Sequence, residues 1–597
     1  MIQTDRRRLL AGSLAFGAAA ASQGLLPAWA QGGTSGAAPA ALSGDHIALR
    51  IGHTPFSLGG QTGHAVTVNG TLPAPLIRLR EGQRAHLSVT NDLDEDTSIH
   101  WHGVLLPFQM DGVPGISFPG IKPGQTFHYE FPVIQAGTYW YHSHSNLQEA
   151  MGCYGPLVID PAGPEPAPYD REHVVVLSDW SFIHPHEILA RLKKSPGYFN
   201  RSRTTLSGLV SGEDGMDLAE RRMWGAMRMD PRDIADVNGT TYTYLVNGQG
   251  SQAPWRGLFS PGERVRLRII NASAMSIFNV RIPGLAMRVV QADGADVRPV
   301  ETDELQISVA ETYDVIVEPK ADRAYALVAE SVDRSGMAVG MLAPRAGMSA
   351  EVPPLREVPT LTMRDMGMGG MGGMGSMAGM DHGAMDHAAM GHDAMGHAPT
   401  AAPAAMAHGA HQMRDKALAP PDMDVGVGVD MIAPAPVSRL AERPMGLEDV
   451  PHRVLTYAEL VALSPGKDRR APSRALEIHL TGNMERFMWG FDGRKFSELV
   501  EPIAFSRDER VRVTLVNDTM MAHPIHLHGH FFELVNGAPE GHQPLKHTVN
   551  VAPGSKVTFD LTADAPGDWA FHCHMLMHMH AGMFNVVTVR PLDGGAA

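Results

Sequence analysis

The stretch at residues 569–584, WAFHCHMLMHMHAGMF, holds a cysteine between two histidines. Alternate side chains of an extended strand share a face, so His572 and His574 are predicted to point one way and Cys573 the other. Two metal centres are therefore expected to meet at this strand. A thiolate, imidazole and a weak thioether form the ligand set of a blue-copper electron-transfer site. The stretch supplies these types in order: Cys573, His578 and Met583.

Pairs of the form His-x-His recur at duplicated spacings. HWH begins nine residues after Asn91, and HLH begins nine residues after Asn517. The segment from Pro123 to HSH also aligns without a gap to the segment from Pro553 to HCH. If the first and last parts of the chain face each other, eight imidazoles converge: His100, His102, His142, His144, His526, His528, His572 and His574.

Copper is the metal that this set of histidines favours. Eight neutral imidazoles suit three copper ions and leave open positions for oxygen. Zinc is the alternative metal, but a closed zinc site needs only about four ligands, and methionine is not one of its usual ligands. A single His-x-His pair would be read as two surface histidines, whereas four pairs at duplicated spacings indicate a metal cluster.

One histidine of HPIHLHGH lies outside the eight. His523 is the expected second imidazole of the blue-copper site, beside Cys573, His578 and Met583. The HCH triplet then joins the two sites covalently. We expect an electron that enters at Cys573 to pass to His572 or His574, so that four electrons reduce dioxygen to two waters.

Three similar segments predict three related β-sandwich domains of antiparallel strands. They are EGQRAHLSVTND, PGERVRLRIINA and RDERVRVTLVND, starting at residues 81, 261 and 507, and their arginines and asparagines align. We place the domains at 45–165, 166–350 and 440–592, with a linker at 351–439. The middle domain carries no His-x-His pair in the corresponding strands and is interpreted as a spacer without copper ligands.

Methionine is concentrated in one part of the linker. Of 35 methionines, 12 lie in residues 363–413, among His, Gly, Ala and Asp. This composition cannot form a packed core, so the insert is predicted to be disordered without metal. Soft Cu(I) prefers thioethers, and Asp-His pairs add ligands for Cu(II), so labile extra copper is expected there. The alternative is a solvated linker without a metal role.

The N-terminus has the features of an export signal. Residues 1–30 contain Arg6 and Arg7, an apolar run and a final Ala-Trp-Ala. We favour a twin-arginine signal over a Sec signal, because the start of the chain matches the pattern Arg6-Arg7-x-Leu9-Leu10. That route exports folded proteins, which suits a metalloprotein. Later stretches fall short of the ~20 apolar residues needed to span a bilayer.

With 49 basic and 64 acidic residues, the net charge of -15 and the lack of a basic stripe argue against nucleic acid as a partner.

The motifs HWHG, HSH, HPIHLHGH and HCHMLMHMHAGM resemble those of the multicopper oxidases, and the resemblance covers nearly all of the mature chain. It implies an all-β fold of three cupredoxin-like Greek-key domains and four copper ions. It places His100 and His526 on the type 2 copper. It places these residues on the type 3 pair: His102, His142, His144, His528, His572 and His574. It places these on the type 1 copper: His523, Cys573, His578 and Met583.

Within that family, the segments VVVLSDWSF and HLTGNMERFMWGFDG and the Met/His-rich insert resemble the copper-resistance protein A group. The resemblance implies a monomeric periplasmic protein that detoxifies copper by oxidising Cu(I) with dioxygen, by sequestering copper, or by both. It also suggests an outer-membrane copper-resistance partner. A laccase-like phenol oxidase and a mainly copper-sequestering protein remain alternatives.

The sequence departs from related cuprous oxidases at one position. Some of these carry an acidic residue directly after the type 1 histidine, where this chain has Met579. Asp111 in QMDGVPG is the candidate for passing protons to the cluster. It is equally compatible with a turn aspartate before glycine.

Two further residue sets have structural and functional interpretations. The methionines around the type 1 motifs are either core fillers or, for some of them, a Cu(I) docking site: Met484, Met488, Met520, Met521, Met575, Met577 and Met579. Cys153 is interpreted as a small buried residue, with a reactive thiol as the alternative.

Overall fold

The computed structural model describes residues 41–212, 215–367, 415–499 and 501–592. Its described elements are mainly strands, and the α-helices among them are short. The predicted signal peptide and nearly all of the Met/His-rich insert lie outside the described residues. None of the helices within the described ranges is long and apolar enough to cross a bilayer.

The first part of the chain forms two sheets with an apolar core between them. The strands are β1 (Leu42–Ser43), β2 (His46–Leu58), β3 (Gln61–Val68), β4 (Ile77–Arg80), β5 (Arg84–Asn91), β6 (His100–His102), β7 (Thr126–Pro132), β8 (Gly137–His142) and β9 (Tyr154–Asp160). The sheet orders are β3-β2-β5-β7 and β1-β4-β9-β8-β6. Leu49 and Val89 of one sheet join Ile77 and Leu157 of the other in one buried cluster.

The middle part repeats this plan with more strands. They are β10 (Arg171–Trp180), β11 (Thr243–Val246), β12 (Gln249–Gly250), β13 (Trp255–Leu258), β14 (Val265–Asn271), β15 (Phe278–Arg281), β16 (Met287–Ala292), β17 (Ala295–Thr302), β18 (Glu304–Ile307), β19 (Thr312–Val317), β20 (Tyr325–Ser331) and β21 (Met337–Ala343). The sheet orders are β12-β11-β10-β14-β19-β16-β17 and β13-β21-β20-β15-β18. Three helices follow β10: α1 (Pro185–Lys194), α2 (Leu206–Ser211) and α3 (Leu218–Ala226).

The last part carries the HCH strand. Its strands are β22 (Val437–Ser438), β23 (Arg474–Asn483), β24 (Met488–Phe491), β25 (Ile503–Ser506), β26 (Arg510–Asn517), β27 (His523–Leu527), β28 (Phe532–Leu534), β29 (Leu545–Lys546), β30 (Thr548–Val551), β31 (Ser555–Thr562), β32 (Gly567–Cys573) and β33 (Phe584–Arg590), with α4 (Leu576–Ala581). One sheet runs β24-β23-β26-β31-β28-β29, with β22 on β31, and the other β25-β33-β32-β27-β30. Its core is continuous with that of the middle part.

The sheets are mixed rather than purely antiparallel as predicted. In each part, the strand of the repeated segment pairs in parallel with an earlier strand: β5 with β2, β14 with β10, and β26 with β23. The chain visits other strands between the two members of each pair and re-enters from the same end, so the pair runs in one direction. The all-β, cupredoxin-like class is unaffected by this difference.

The aligned asparagines of the three repeats share one structural role. Asn91, Asn271 and Asn517 each end the repeated strand and are fully buried. Each side-chain amide donates to at least two backbone carbonyls, and each Oδ1 accepts the N–H two residues later. In two of the repeats, this asparagine therefore holds the loop that leads to a histidine pair.

The beginning of the Met/His-rich insert is more ordered than predicted. Met363–Met366 forms a 3-10 turn, and Met366 is completely buried. The Asp365 carboxylate accepts from Thr362 N and Oγ1 and pairs with Arg439. These contacts fix the first turn of the insert against the last part of the chain.

We predict that Asn271→Ala destabilises the middle part by about 2 to 4 kcal/mol, because two buried carbonyls and one N–H lose their partner. Calorimetric unfolding would measure the change. The control is Ser273→Ala, since Ser273 Oγ is buried and has no hydrogen-bond partner among the described residues. Equal stability of the two variants would contradict the role assigned to the asparagines.

Candidate metal centre

Strand β32 ends at the cysteine of HCH and places its neighbours in two different sites. It pairs antiparallel with β27, with His572 opposite His526 and Cys573 opposite Ile525. His572 and His574 reach the histidine cluster, whereas Cys573 lies with His523 and His578. The predicted alternation of side chains is therefore present.

The eight predicted histidines converge between the first and last parts of the chain. His102 stacks on His526, and His100 stacks on His528, each with ring centroids 3.9 Å apart. Three groups have ligand nitrogens within 4.8 Å of one another: His144, His528 and His572; His102, His142 and His574; and His100, His526 and His528. Seven of the eight are buried, and His144 is partly buried.

Hydrogen bonds on the outer side of the cluster select the nitrogen that faces inward. His100 Nδ1 lies 2.7 Å from the Asp111 carbonyl, and His528 Nδ1 lies 2.8 Å from Asp111 Oδ2. His572 Nδ1 lies 3.0 Å from the Cys573 carbonyl. The oxygen acceptors require protons on these Nδ1 atoms, so neutral rings present their Nε2 lone pairs to the centre.

A metal cation fits the inward-facing nitrogens. His528 Nε2 and His572 Nε2 lie 3.0 Å apart, although both carry lone pairs. His100 Nε2, His142 Nε2 and His526 Nε2 are buried without a hydrogen-bond partner among the described residues. Burial lowers the pKa of His572 to about 4 and that of His142 and His528 well below the usual range, so the rings are neutral ligands. Copper ions would satisfy these nitrogens.

Glu149 was not identified from the sequence, yet it lies directly behind the cluster. Its Oε2 is 2.7 Å from His142 Nδ1, and its Oε1 is 3.9 Å from His574 Nδ1. The side chain is buried, and burial raises its pKa well above the usual range. A carboxyl group that accepts from a ligand histidine fixes the ring and its tautomer. The only available signal was its position five residues after HSH.

The second site contains three of the four predicted type 1 ligands at close range. Cys573 Sγ lies 3.6 Å from His523 Nδ1 and 3.7 Å from His578 Nδ1, and these nitrogens are 3.2 Å apart. All three residues are completely buried. Burial raises the pKa of the Cys573 thiol well above its usual range, so a bound cation is needed to stabilise the thiolate.

The fourth predicted ligand, Met583, is also completely buried. Its backbone carbonyl accepts from the Cys573 N–H at 3.1 Å, and its own N–H donates to the His578 carbonyl at 3.0 Å. Helix α4 lies between Cys573 and Met583 and carries His578. The short helix thus reverses the chain and brings the Met583 backbone beside Cys573.

The outer nitrogens of His523 and His578 are held by two different parts of the chain. Thr519 Oγ1 lies 2.7 Å from His523 Nε2, and Asp236 Oδ2 lies 2.7 Å from His578 Nε2. Burial raises the pKa of Asp236 to about 7. Because Asp236 belongs to the middle part, that part does more than separate the other two. No sequence signal links residues so far apart.

Two other residues near the centres were missed. The Trp489 ring packs against His578 with centroids 4.1 Å apart. A further buried histidine outside the predicted set, His547, has a ring nitrogen within 4.8 Å of those of His102 and His526. Trp489 lies in β24 and His547 lies between β29 and β30, and neither has a recognisable spacing from the histidine motifs.

Cys153 is fully buried, and burial raises the pKa of its thiol to about 12. These properties fit the structural interpretation of Cys153 and disfavour a reactive thiol. Both Cys153 and Cys573 are free cysteines.

We predict that Glu149→Ala lowers the metal affinity of the histidine cluster by about 10- to 100-fold, because His142 Nδ1 loses its contact with the carboxyl group at 2.7 Å and keeps only the Ser143 carbonyl at 3.1 Å. Competition with a chelator would measure this affinity. Glu149→Gln keeps an acceptor oxygen and is expected to retain most of it. Unchanged affinity in the alanine variant would show that Glu149 does not position the ligand.

Similar proteins cover almost the whole chain. A copper resistance protein A homolog of Pseudomonas syringae pv. tomato is 49% identical over 98% of this chain and 99% of its own length. Copper resistance protein A of Escherichia coli is 48% identical over 99% of this chain and 100% of its own length.

Solved structures of low sequence identity share the fold. Fet3p, a multicopper oxidase that functions in iron import, aligns with a TM-score of 0.61 at 20% identity, covering 92% of this chain and 90% of its own. Three multicopper oxidase domain profiles match residues 51–164, 171–345 and 469–593. The chain therefore belongs to the multicopper oxidase family.

Proposed function

We propose that this protein is a periplasmic oxidase that protects the cell from copper by oxidising Cu(I) at the expense of dioxygen. The observation that carries the proposal is Cys573, which lies in a buried Cys-His-His site while its two chain neighbours lie in the histidine cluster. A copper-sequestering protein has no need for a covalent link between two centres. The names of the relatives from Pseudomonas syringae and Escherichia coli support copper as the substrate.

We assign the ligands of the four proposed copper ions as follows from the two sites. The type 1 copper is assigned to His523, Cys573, His578 and Met583, and the type 2 copper to His100 and His526. The type 3 pair is assigned to two groups that coincide with clusters of nitrogens: His102, His142 and His574; and His144, His528 and His572. Four bound coppers would supply the one-electron steps by which four electrons and four protons convert one dioxygen into two waters.

Other residues of the protein hold these ligands in place and connect the two sites. His578 contacts Cys573 on one side and Asp236 on the other, so it connects the type 1 site to the middle part of the chain. The short backbone from Cys573 to His572 and His574 links the type 1 site to the cluster. Asp111 touches both His100 and His528 and is assigned to proton delivery, while Glu149 holds His142.

The proposed function includes export of the protein to the periplasm and binding of additional copper by the Met/His-rich insert. The signal at residues 1–30 would send the folded protein through the twin-arginine route to the periplasm. The insert at 363–413 would bind additional labile copper, and an outer-membrane copper-resistance protein would be a partner of the monomer. Cu(I) and dioxygen are the proposed substrates.

We predict that Cys573→Ser abolishes both the intense blue absorption and oxidase activity, because no thiolate remains at the type 1 site. Visible absorption, oxygen uptake and copper content would be measured together. The matched control is Cys153→Ala, which removes the other buried cysteine and is expected to retain both properties. If the Cys573 variant also protects cells fully from copper, sequestration rather than oxidation is the function.

We predict that replacing residues 368–414 by a Gly/Ser linker of equal length lowers Cu(I) turnover at low Cu(I) concentration. The thioethers of that segment would otherwise raise the local concentration of Cu(I). Oxygen uptake with Cu(I) and with 2,6-dimethoxyphenol separates the two oxidase hypotheses. Efficient phenol oxidation by the intact protein together with unchanged Cu(I) turnover in the variant would favour a laccase-like enzyme.

A further inference from the structure

One buried imidazole beside the histidine cluster has no part in the ligand assignment. His547 lies between β29 and β30 and belongs to none of the four His-x-His pairs. The ring is buried, and its Nε2 has no hydrogen-bond partner among the described residues. Because a buried polar atom without a partner is costly, this nitrogen requires a metal ion or a water molecule to satisfy it.

Two histidines of the cluster bring further free nitrogens close to it. One ring nitrogen from each of His102, His526 and His547 lies within 4.8 Å of the other two. The nitrogen that His526 offers is Nε2, because its Nδ1 donates to the His547 carbonyl at 2.8 Å. His102 makes no hydrogen bond at either ring nitrogen within the part of the chain that the structure describes. The three rings thus form a buried set of three imidazole ligands.

A glycine makes the space in which the His547 ring lies. A side-chain carbon at Gly103, directly after the first His-x-His pair, would lie only 2.4 Å from His547 Nε2. Gly103 also has a φ of +79°, which residues with side chains rarely adopt. The His547 ring stands at 74° to that of His102 and at 82° to that of His526. The glycine of the HWHG motif therefore allows a third ring to approach the two stacked ones.

Asp293 of the middle part fixes the segment that carries this ring. Its Oδ2 accepts from the His547 N–H at 3.3 Å and from the Thr548 N–H at 3.2 Å. The same oxygen lies 3.1 Å from Lys546 Nζ. The position of His547 is thus set by backbone hydrogen bonds to a buried carboxylate and does not depend on a metal ion.

Oxygen atoms on the Nδ1 side of the ring leave Nε2 available to a cation. Thr548 Oγ1 lies 3.1 Å from His547 Nδ1, and Asp293 Oδ2 lies 4.0 Å from it. These oxygens favour a proton on Nδ1, and a neutral imidazole then keeps its lone pair on Nε2. Burial lowers the pKa of His547 to about 4, so the ring is neutral.

The alternative is that His547 only orients His102, as Glu149 orients His142. That role requires a hydrogen bond between the two rings. Neither His547 Nε2 nor either nitrogen of His102 makes a hydrogen bond among the described residues, although the ring centroids lie 4.9 Å apart. The contact therefore resembles two ligands around a shared ion more than a ligand and its acceptor.

We propose that His102, His526 and His547 form a loading position, a second place for one copper ion of the cluster, in which His547 is an additional ligand. This inference rests on the ligand assignment of the proposed function. His526 has one free lone pair and belongs both to this group and to the group with His100 and His528. An ion at the loading position therefore replaces the type 2 ion rather than adding to it.

The number of ligands gives the loading position its use. The type 2 copper is assigned two imidazoles, whereas the loading position offers three. While the cluster lacks some of its ions, a copper ion is held more tightly by three imidazoles than by two. When the type 3 pair takes His102, the ion moves to His100 and His526. His547 thus retains copper in an incompletely loaded cluster.

Crystals of the full-length, copper-loaded protein provide the first test. Copper is withdrawn in steps with EDTA, and anomalous scattering at the copper edge locates the ions that remain. We expect partial withdrawal to produce a copper peak about 2 Å from His547 Nε2, and full loading to remove it. Copper peaks at the eight predicted histidines without one at His547 at any step, or a water molecule on its Nε2 throughout, would overturn the inference.

The second test compares His547→Asn with a matched control, His530→Asn. His530 is also buried with a free Nε2, but it belongs to no group of converging ligand nitrogens among the described residues. After withdrawal by EDTA, the full-length proteins are resupplied with limiting copper sulfate, and the type 2 EPR signal is recorded beside the type 1 band. The type 2 signal should need about tenfold more copper to return in His547→Asn than in the parent or the control.

Excess copper separates a loading defect from a folding defect. All three proteins should recover the full type 2 signal in excess copper, because the final ligands are intact. Equal recovery at limiting copper, or a deficit in His547→Asn that excess copper does not repair, would contradict a loading position and leave the proposed function intact. If the loaded parent shows no copper peak at any of the eight predicted histidines, the ligand assignment fails, and the proposed function fails with it.

Discussion

Alternation of side chains along strand β32 is the constraint on which both centres depend. His572 and His574 share a face, and Cys573 takes the opposite face. Two metal sites can therefore lie back to back within three residues without competing for ligands. The remaining ligands must then be brought to this strand from β27, from helix α4 and, across the domain interface, from the first part of the chain.

The hydrogen bonds behind the imidazoles give the two centres opposite tautomers. In the cluster, Asp111 and Glu149 occupy Nδ1 atoms and leave Nε2 facing inward. At the Cys-His-His site, Thr519 and Asp236 occupy Nε2 atoms and leave Nδ1 facing Cys573. Since each imidazole has only one free lone pair when neutral, these outer partners decide which ring nitrogen faces a metal position in the histidines that they contact. Burial lowers the pKa values of His523, His528 and His572, which keeps these rings neutral and able to bind cations.

The duplicated spacings allowed most of this arrangement to be predicted from the sequence. They identified the all-β class, the eight converging histidines and the Cys-His-His set, because each depends on residues that recur in a strand at a constant interval. Parallel pairing of β5, β14 and β26 was not predicted, because local patterns do not specify which distant strand becomes the neighbour.

Several site residues were not predicted from the sequence either, because they reach the site through contacts between distant segments. Asp236 reaches His578 across 342 positions, and no periodic pattern marks it. The Asp111 interpretation was open for a similar reason: a turn aspartate before glycine and an acid behind two histidines look the same in sequence. In the structure it is both, since it follows the turn at Phe108–Met110 and also contacts His100 and His528.

The coupling of the two centres through HCH is most directly tested by one anaerobic titration with Cu(I), followed by admission of oxygen, while the type 1 band and dissolved oxygen are recorded together. The structure predicts that Cu(I) bleaches the band, that oxygen restores it, and that one dioxygen is consumed for every four Cu(I) ions oxidised. A bleached band that oxygen does not restore, or oxygen consumption that proceeds without any change in the band, would contradict the coupling.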